Sequence, residues 1–391
     1  MNNGKLHPVP LLRLGFRPFY LLGGLFAAAG LPLWMAVYFN LLSAPAAIPA
    51  IFWHAHEMLF GFVGAVVAGF LFTAVGNWTG RATPTGIPLA LLALLWLAGR
   101  IVFWIPAVPY PAAIIVDVSF LFLVAAAVLK PILAARNYHN LGIAAIVLLF
   151  AAANLLFHLS LLGVVHYSLI TALHNGLNLV ILIIVVIGGR VIPFFTARAV
   201  PDSGARREPA ADLAAVGSVL LLLIIDALPR GVEIVPPVAF AAAAFNAWRM
   251  AYWGTPSVAG RPILWILHLG YAWIVAGLAL KGLAAWTGVV NAPAAVHAVT
   301  VGAIGSMTVG MMTRTALGHS GRPLVLAGAV IWSYALVNLA AVIRVAGTFL
   351  PGQWYGLSLL LSAAAWTAAW LLFVIIYWPI LTRPRMDGRP G

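Results

Sequence analysis

Trp53-His54-Ala55-His56-Glu57 runs directly into an apolar stretch from Met58 to Val75 that carries no charged residue. A helix needs roughly 20 such residues to cross the hydrocarbon core of a bilayer. The apolar stretch therefore reads as a membrane span, and the preceding five residues place two imidazoles and a carboxylate at its mouth. Ionisable side chains are costly in a membrane, so a cluster of them marks a functional site. Imidazole is also the commonest metal ligand among side chains.

The rest of the chain follows the same pattern. Its 391 residues are 64% hydrophobic and only 7% charged. Soluble domains carry about 25% charged residues. The fold class is thus an all-α integral membrane protein. Apolar runs continue to the C-terminal end, which excludes a single signal peptide as their explanation. The formal charge of +13 does not indicate a nucleic-acid partner, because the basic residues lie singly between apolar runs. There are no cysteines. That excludes disulfides, thiolate metal ligands and a covalently attached c-type haem. Any metal must use His, Met, carboxylate or backbone ligands.

Breaking the chain at its polar, Pro and Gly punctuation gives about twelve spans. They lie near 16–40, 50–75, 86–105, 111–130, 141–163, 168–195, 212–229, 234–252, 262–285, 293–315, 323–347 and 355–379. With the N-terminus inside, seventeen basic residues fall on the inner side, from Lys5 to Arg389. Only Arg100, Arg230, Lys281 and Arg344 fall outside. This asymmetry predicts an even number of spans with both termini cytoplasmic.

The second span echoes in the tenth at an offset of 241. His56 maps to His297, Gly61 to Gly302, Gly64 to Gly305, Gly69 to Gly310, and Gly80-Arg81 to Gly321-Arg322. The sixth span also begins with a histidine, His174. Spans two, six and ten are four apart, which suggests one polytopic domain over 1–391. Its helix units would be roughly 10–137, 138–261 and 262–391. Chance similarity in a Gly-rich chain is the alternative.

Orientation sorts the histidines by depth. His54, His56, His174 and His297 lie in the outer parts of inward-running helices; His158 lies near the outer end of its span and His166 in the loop after it. Residues two apart on a helix point about 200° from each other. His54 and His56 therefore face different neighbours, with Glu57 on the His54 side. His56 with His297 or His174 forms the expected pair of axial haem ligands, and His54 comes next. Metal candidates are His54, His56, His174, His297 and His158. Copper without thiolate needs about three imidazoles. His268 and His319 form a candidate second site towards the inside. For each histidine alone, the competing role is an interhelical hydrogen bond. Met311-Met312 offers thioether sulfurs, more commonly packing.

Asp117 and Asp226 are intramembrane carboxylates, either proton-relay elements or buried structural pairs. The second is favoured, because no chain of acidic residues crosses the membrane; Arg100 is the expected partner of Asp117. Arg81, Arg314 and Arg322 are candidate contacts for a haem propionate or lipid phosphate, against simple positive-inside anchoring, which is favoured for Arg81. Arg190, near the inner end of its span, is a further candidate site residue. No nucleophile–base motif, phosphate loop or zinc-protease helix is present.

Several spaced motifs in order resemble the NnrS family of bacterial membrane proteins. They are Leu14-Gly15-Phe16-Arg17-Pro18-Phe19, Trp53-His54-Ala55-His56-Glu57-Met58, Asn77-Trp78-Thr79-Gly80-Arg81 and Gly188-Gly189-Arg190-Val191-Ile192-Pro193. His268-Leu269-Gly270-Tyr271 and the run Thr313 to Pro323 complete the set. The resemblance implies a many-spanning protein holding non-covalent haem and copper, associated with nitric oxide response and tolerance in denitrification or nitrosative stress. Nitric oxide or a similar gas would be its ligand, with an unidentified electron donor. Haem–copper oxidases offer a looser analogy, since they also use twelve-span, pseudo-threefold bundles, with histidine ligands largely on the second, sixth, seventh and tenth helices. The seventh span here, Asp212 to Pro229, has no histidine, which weakens the copper half of that analogy. Competing classes are a twelve-span transporter and a non-catalytic sensor or metal-handling protein.

Overall fold

The computed structural model describes residues 7–228 and 232–389. Lys5 and Arg230, counted in the charge asymmetry, lie outside the described residues. Among the described residues the chain is helical, with no strand. Twelve long helices follow one another: α1 (Phe16–Tyr38), α2 (Ala50–Thr79), α3 (Gly86–Trp104), α4 (Tyr110–Ala134), α5 (Tyr138–Leu161), α6 (Leu169–Ala199), α7 (Pro209–Ala227), α8 (Val235–Ala251), α9 (Pro262–Thr287), α10 (Ala292–His319), α11 (Gly328–Gly347) and α12 (Gly352–Thr382). Eleven have the length and hydropathy of membrane spans. The remaining one, α8, has 17 residues, at the short end of the spanning range. Each span expected from the sequence has its helix.

Local chemistry sets the ends. Pro209, Pro236, Pro262 and Pro293 stand in the first turns of α7, α8, α9 and α10, where a missing N–H costs nothing. Large apolar side chains such as Leu91, Leu94, Leu220 and Ile375 remain exposed, as lipid-facing surfaces require. The most enclosed span is α2, 89% buried, followed by α10 at 72% and α6 at 67%; no other reaches 60%. These are the three spans on which the outer histidines were set four apart.

The echo at 241 extends to the backbone. Immediately after His56, α2 opens into a wide π-type turn over Glu57–Val63; immediately after His297, α10 does the same over Ala298–Ile304. Wide turns of this kind occur mostly at functional positions. Gly80 and Gly321, at the same offset, both adopt positive φ, 62° and 71°. At each, the chain leaves the helix through a left-handed residue, which glycine allows without strain.

The chain forms two compact units. One gathers Met1–Gly176, Met312–Leu324 and Phe373–Gly391; the other gathers Leu177–Met311 and Val325–Leu372. In the first, Arg17 is fully buried, and its Nη1 donates to the carbonyls of Leu381 and Arg383, each at 2.8 Å. The guanidinium thereby caps the C-terminal, partially negative end of α12. In the second, Arg249 is buried and donates to Asp212 Oδ1 at 2.6 Å and to the Val185 carbonyl at 2.7 Å. A β-carbon at Gly189 would collide with that guanidinium, so Gly189 makes room for a buried arginine. Arg17 and Arg249 both belong to the basic residues of the inner segments, and the structure buries them as a helix cap and an ion pair.

Candidate metal centre

Four helices of the first unit, α2 to α5, bring their polar residues together in an otherwise apolar interior. His56 and His158 are fully buried, and Asp117, Glu57 and Arg100 are 2%, 3% and 7% exposed. The wide turn of α2 begins at Glu57. Expected on the His54 side, Glu57 instead lies against His56, with Oε1 3.1 Å from Nδ1, and against Arg100 Nη1 at 2.9 Å. Gly61, one turn on, leaves the space that the Arg100 guanidinium fills. The Gly61 carbonyl accepts the Trp96 indole N–H at 3.0 Å.

Arg100 also pairs with Asp117 through Nη2 and Oδ1, as the sequence suggested. Gly99 lets α3 approach α4 closely at that point, since a β-carbon there would lie 3.3 Å from the Asp117 Cα. The other carboxylate oxygen, Oδ2, is the hub. It lies 3.3 Å from His56 Nε2, 3.2 Å from His158 Nε2, and accepts from Asn154 Nδ2 at 2.8 Å. Because the Asn154 amide nitrogen is used on Asp117, its Oδ1 faces His56 Nε2, at 2.8 Å. His56 is therefore flanked by acceptors, Glu57 on one nitrogen and Asn154 on the other, and the network closes with both ring nitrogens donating. Two carboxylates then meet a guanidinium and a protonated imidazole. That balance is what a buried charge group requires, since an unmatched charge in a low-dielectric interior is strongly unfavourable. His158 is held on its far side by the Tyr110 hydroxyl, 2.8 Å from Nδ1.

The same atoms form a metal-ligand set. One ligand atom each from His56, Asp117 and His158 lies within 4.8 Å of the others. Bonds of about 2.0–2.2 Å, usual for imidazole and carboxylate on a first-row metal, place neighbouring ligand atoms roughly 3.3 Å apart in a tetrahedral arrangement. The two distances from Asp117 Oδ2, 3.3 and 3.2 Å, meet that requirement. The set is two imidazoles and a carboxylate, a mixture suited to divalent first-row metals. It is not the three imidazoles expected for copper. A metal here replaces the proton on His56 Nε2 and its bond to Asn154.

The remaining sequence candidates each have surroundings of their own. His54 points away from His56, as the helix geometry required, and stacks on Trp34 with ring centroids 4.5 Å apart. His174 is half-buried on α6, and His166 is exposed in its loop. His297 donates from Nδ1 to the Pro293 carbonyl at 2.7 Å, one turn back. His268 has both nitrogens engaged, by Thr196 at 2.9 Å and Thr255 at 3.0 Å. Thr196 gives its own proton to Ile192, so it accepts from His268 Nε2. The His319 ring lies 6.0 Å from that of Phe16. Arg190, Arg314 and Arg322 are half-buried. Asp226 pairs with Lys281 and accepts from Asn178 Nδ2 at 2.7 Å.

Three contributors escaped the sequence reading. Asn154 carried a signal: it stands four residues before His158, hence on the same helix face. Tyr110, the first residue of its helix, carried no such signal. Asn246 had no signal, yet it accepts the Tyr271 hydroxyl at 2.5 Å, which gives the tyrosine of His268-Leu269-Gly270-Tyr271 its partner.

Helices of this length around a buried His–Asp–His group define a multi-pass membrane protein with a candidate metal centre. The family model described as NnrS protein matches residues 10–385, and the chain belongs to the NnrS family. Comparison with curated proteins returns no match.

Proposed function

We propose that this protein is a haem- and copper-containing inner-membrane protein that binds or turns over nitric oxide and so contributes to nitric oxide tolerance. The observation that carries this reading is the buried His56–Asp117–His158 donor set within a chain of the NnrS family. These three residues are the candidate ligands of a divalent first-row metal, through His56 Nε2, Asp117 Oδ2 and His158 Nε2; copper would be held here with a carboxylate in place of the third imidazole. His297 suits an axial haem ligand. Its Nδ1–H is anchored on a backbone carbonyl, the outer-shell bond that fixes the tautomer of ligating histidines and leaves Nε2 for the metal. His56 suits that role less well, because both of its nitrogens are committed within the cluster.

When bound, haem and copper supply redox-active metals that take nitric oxide as a ligand. The chain's own residues set the surroundings. Glu57 and Arg100 fix the local charge. Asn154 orients both His56 and Asp117. Tyr110, whose hydroxyl both donates and accepts, holds the His158 ring whichever nitrogen carries the proton. The apolar helices around the site give an uncharged gas a path from the lipid without a polar pore. The charge asymmetry supports cytoplasmic placement of both termini, and the shared wide turns after His56 and His297 support the repeated helix unit.

The test is metal analysis and redox-difference spectroscopy on purified full-length protein, with and without nitric oxide. The reading expects a Soret band that shifts with nitric oxide, together with bound copper. Protein expressed with ample haem and copper that shows neither would refute it.

A further inference from the structure

Three helix ends of the first unit meet where the chain crosses a membrane boundary. Phe16 begins α1, His319 ends α10 and Thr382 ends α12. Around them stand Arg13, Arg17, Arg322, Arg383 and Arg385. Arg13, Arg322 and Arg385 act on the Arg17 guanidinium as neighbouring like charges, and Arg383 acts likewise on Arg322. The carboxylate found here is Asp387, and Arg385 takes both of its oxygens, at 2.8 and 2.5 Å. The carbonyls at the end of α12 are taken by Arg17, and Arg13 spends its Nε on the His7 carbonyl. Arg322 is different. Its Nη1 is buried and has no hydrogen-bond partner among the described residues.

A buried cationic donor without an acceptor is costly, because the group has lost water and gained nothing. Burial, with the nearby Arg383, also pulls the Arg322 guanidinium below its ordinary pKa. The arginine is held there by a rigid frame. The turn before it passes through Gly321, whose α-carbon lies against Asp387. Arg385 Nη1 donates to the His319 carbonyl at 2.9 Å, and the Met386 N–H bonds to the Ser320 carbonyl at 3.3 Å. The C-terminal strap thus fixes Arg322 among like charges, with one donor unspent.

We propose that Arg322, with Arg383 and Arg17 beside it, forms a binding site for the phosphate of an anionic phospholipid headgroup. A phosphate matches the planar fork of a guanidinium, and basic pockets among helix ends on the cytoplasmic side are where anionic headgroups bind. The helix ends fix the site at headgroup depth, which favours a lipid over a soluble anion.

The experiment uses the full-length protein in detergent. Bound lipid is counted by native mass spectrometry, and thermal midpoints are read with added phosphatidylglycerol, phosphatidylcholine or inorganic phosphate. The wild type is expected to retain phosphatidylglycerol and to gain a higher midpoint from it than from the other two. R322Q is expected to bind it about fivefold more weakly, the worth of one basic residue at an anionic surface. R198Q, which removes an exposed arginine elsewhere, should behave as wild type. Should R322Q not fold, R383Q repeats the test on an exposed side chain. Equal losses in R198Q and R322Q would reduce the effect to general surface charge and overturn the proposal. So would stabilisation by inorganic phosphate equal to that by the lipid.

Discussion

Arg100 lies over Gly61, its guanidinium occupying the volume a β-carbon at that position would need. The glycine and the arginine are thus one device, placed on adjacent helices by the wide turn of α2. Gly61→Ala should displace Arg100 from Glu57 and Asp117 and lower stability sharply. Gly217→Ala, on α7 where nothing lies within 4 Å, should stabilise by up to about 1 kcal/mol through helix propensity. Thermal midpoints of the two variants in the same detergent compare them directly. A Gly61→Ala protein as stable as the wild type would refute the packing.

The ion group should show strong coupling. Arg100→Gln leaves two buried carboxylates facing one imidazole, and Glu57→Gln leaves an excess of positive charge. Each is expected to cost about 3–5 kcal/mol, as for a broken buried pair. The double variant should cost less than the sum, because it removes one charge of each sign. Additive losses in a double-mutant cycle would mean that the two groups act independently.

Metal content should follow the donor set. His158→Ala and His56→Ala are expected to lose bound copper, while His139→Ala, on an exposed side chain, keeps it. His297→Ala should lose the Soret band and keep copper. Elemental analysis and absorbance on the same preparations separate the two. Full copper retention in both His158→Ala and His56→Ala would remove the centre from this cluster.

Gly189→Ala provides a test in the second unit. The added methyl enters the Arg249 guanidinium, so folded yield should fall, by more than for Gly217→Ala. Limited proteolysis in detergent reports it. An unchanged digestion pattern would show that Arg249 can shift without loss.

Much of this architecture was legible in the residues. The spans followed from long apolar runs, and the opposition of His54 and His56 followed from helix geometry alone. Asp117 and Arg100 announced themselves as lone charges in oil. Glu57 was misplaced because a regular helix was assumed. Nothing in Glu57–Val63 beyond the single glycine, Gly61, signals a wide turn, and the Glu57 carboxylate lies against His56. Arg249 and Arg17 were read only as members of the inner basic set, and nothing near them in sequence marks them as buried. Their burial depends on carbonyls and a glycine far away in sequence. His158 was placed by depth, but its partners Asp117 and Tyr110 come from another helix, and no spacing encodes that meeting.

The clamp between Arg17 and the carbonyl of Arg383 joins groups 366 residues apart. During synthesis, at about 5–20 residues per second, α1 would wait roughly 20–70 seconds before its cap exists. For that time the first helix enters the bilayer with an arginine that has not met its acceptors. A chain that stops before Ile380 should leave α1 in an unfinished state, exposed to membrane quality control from its first helix onward.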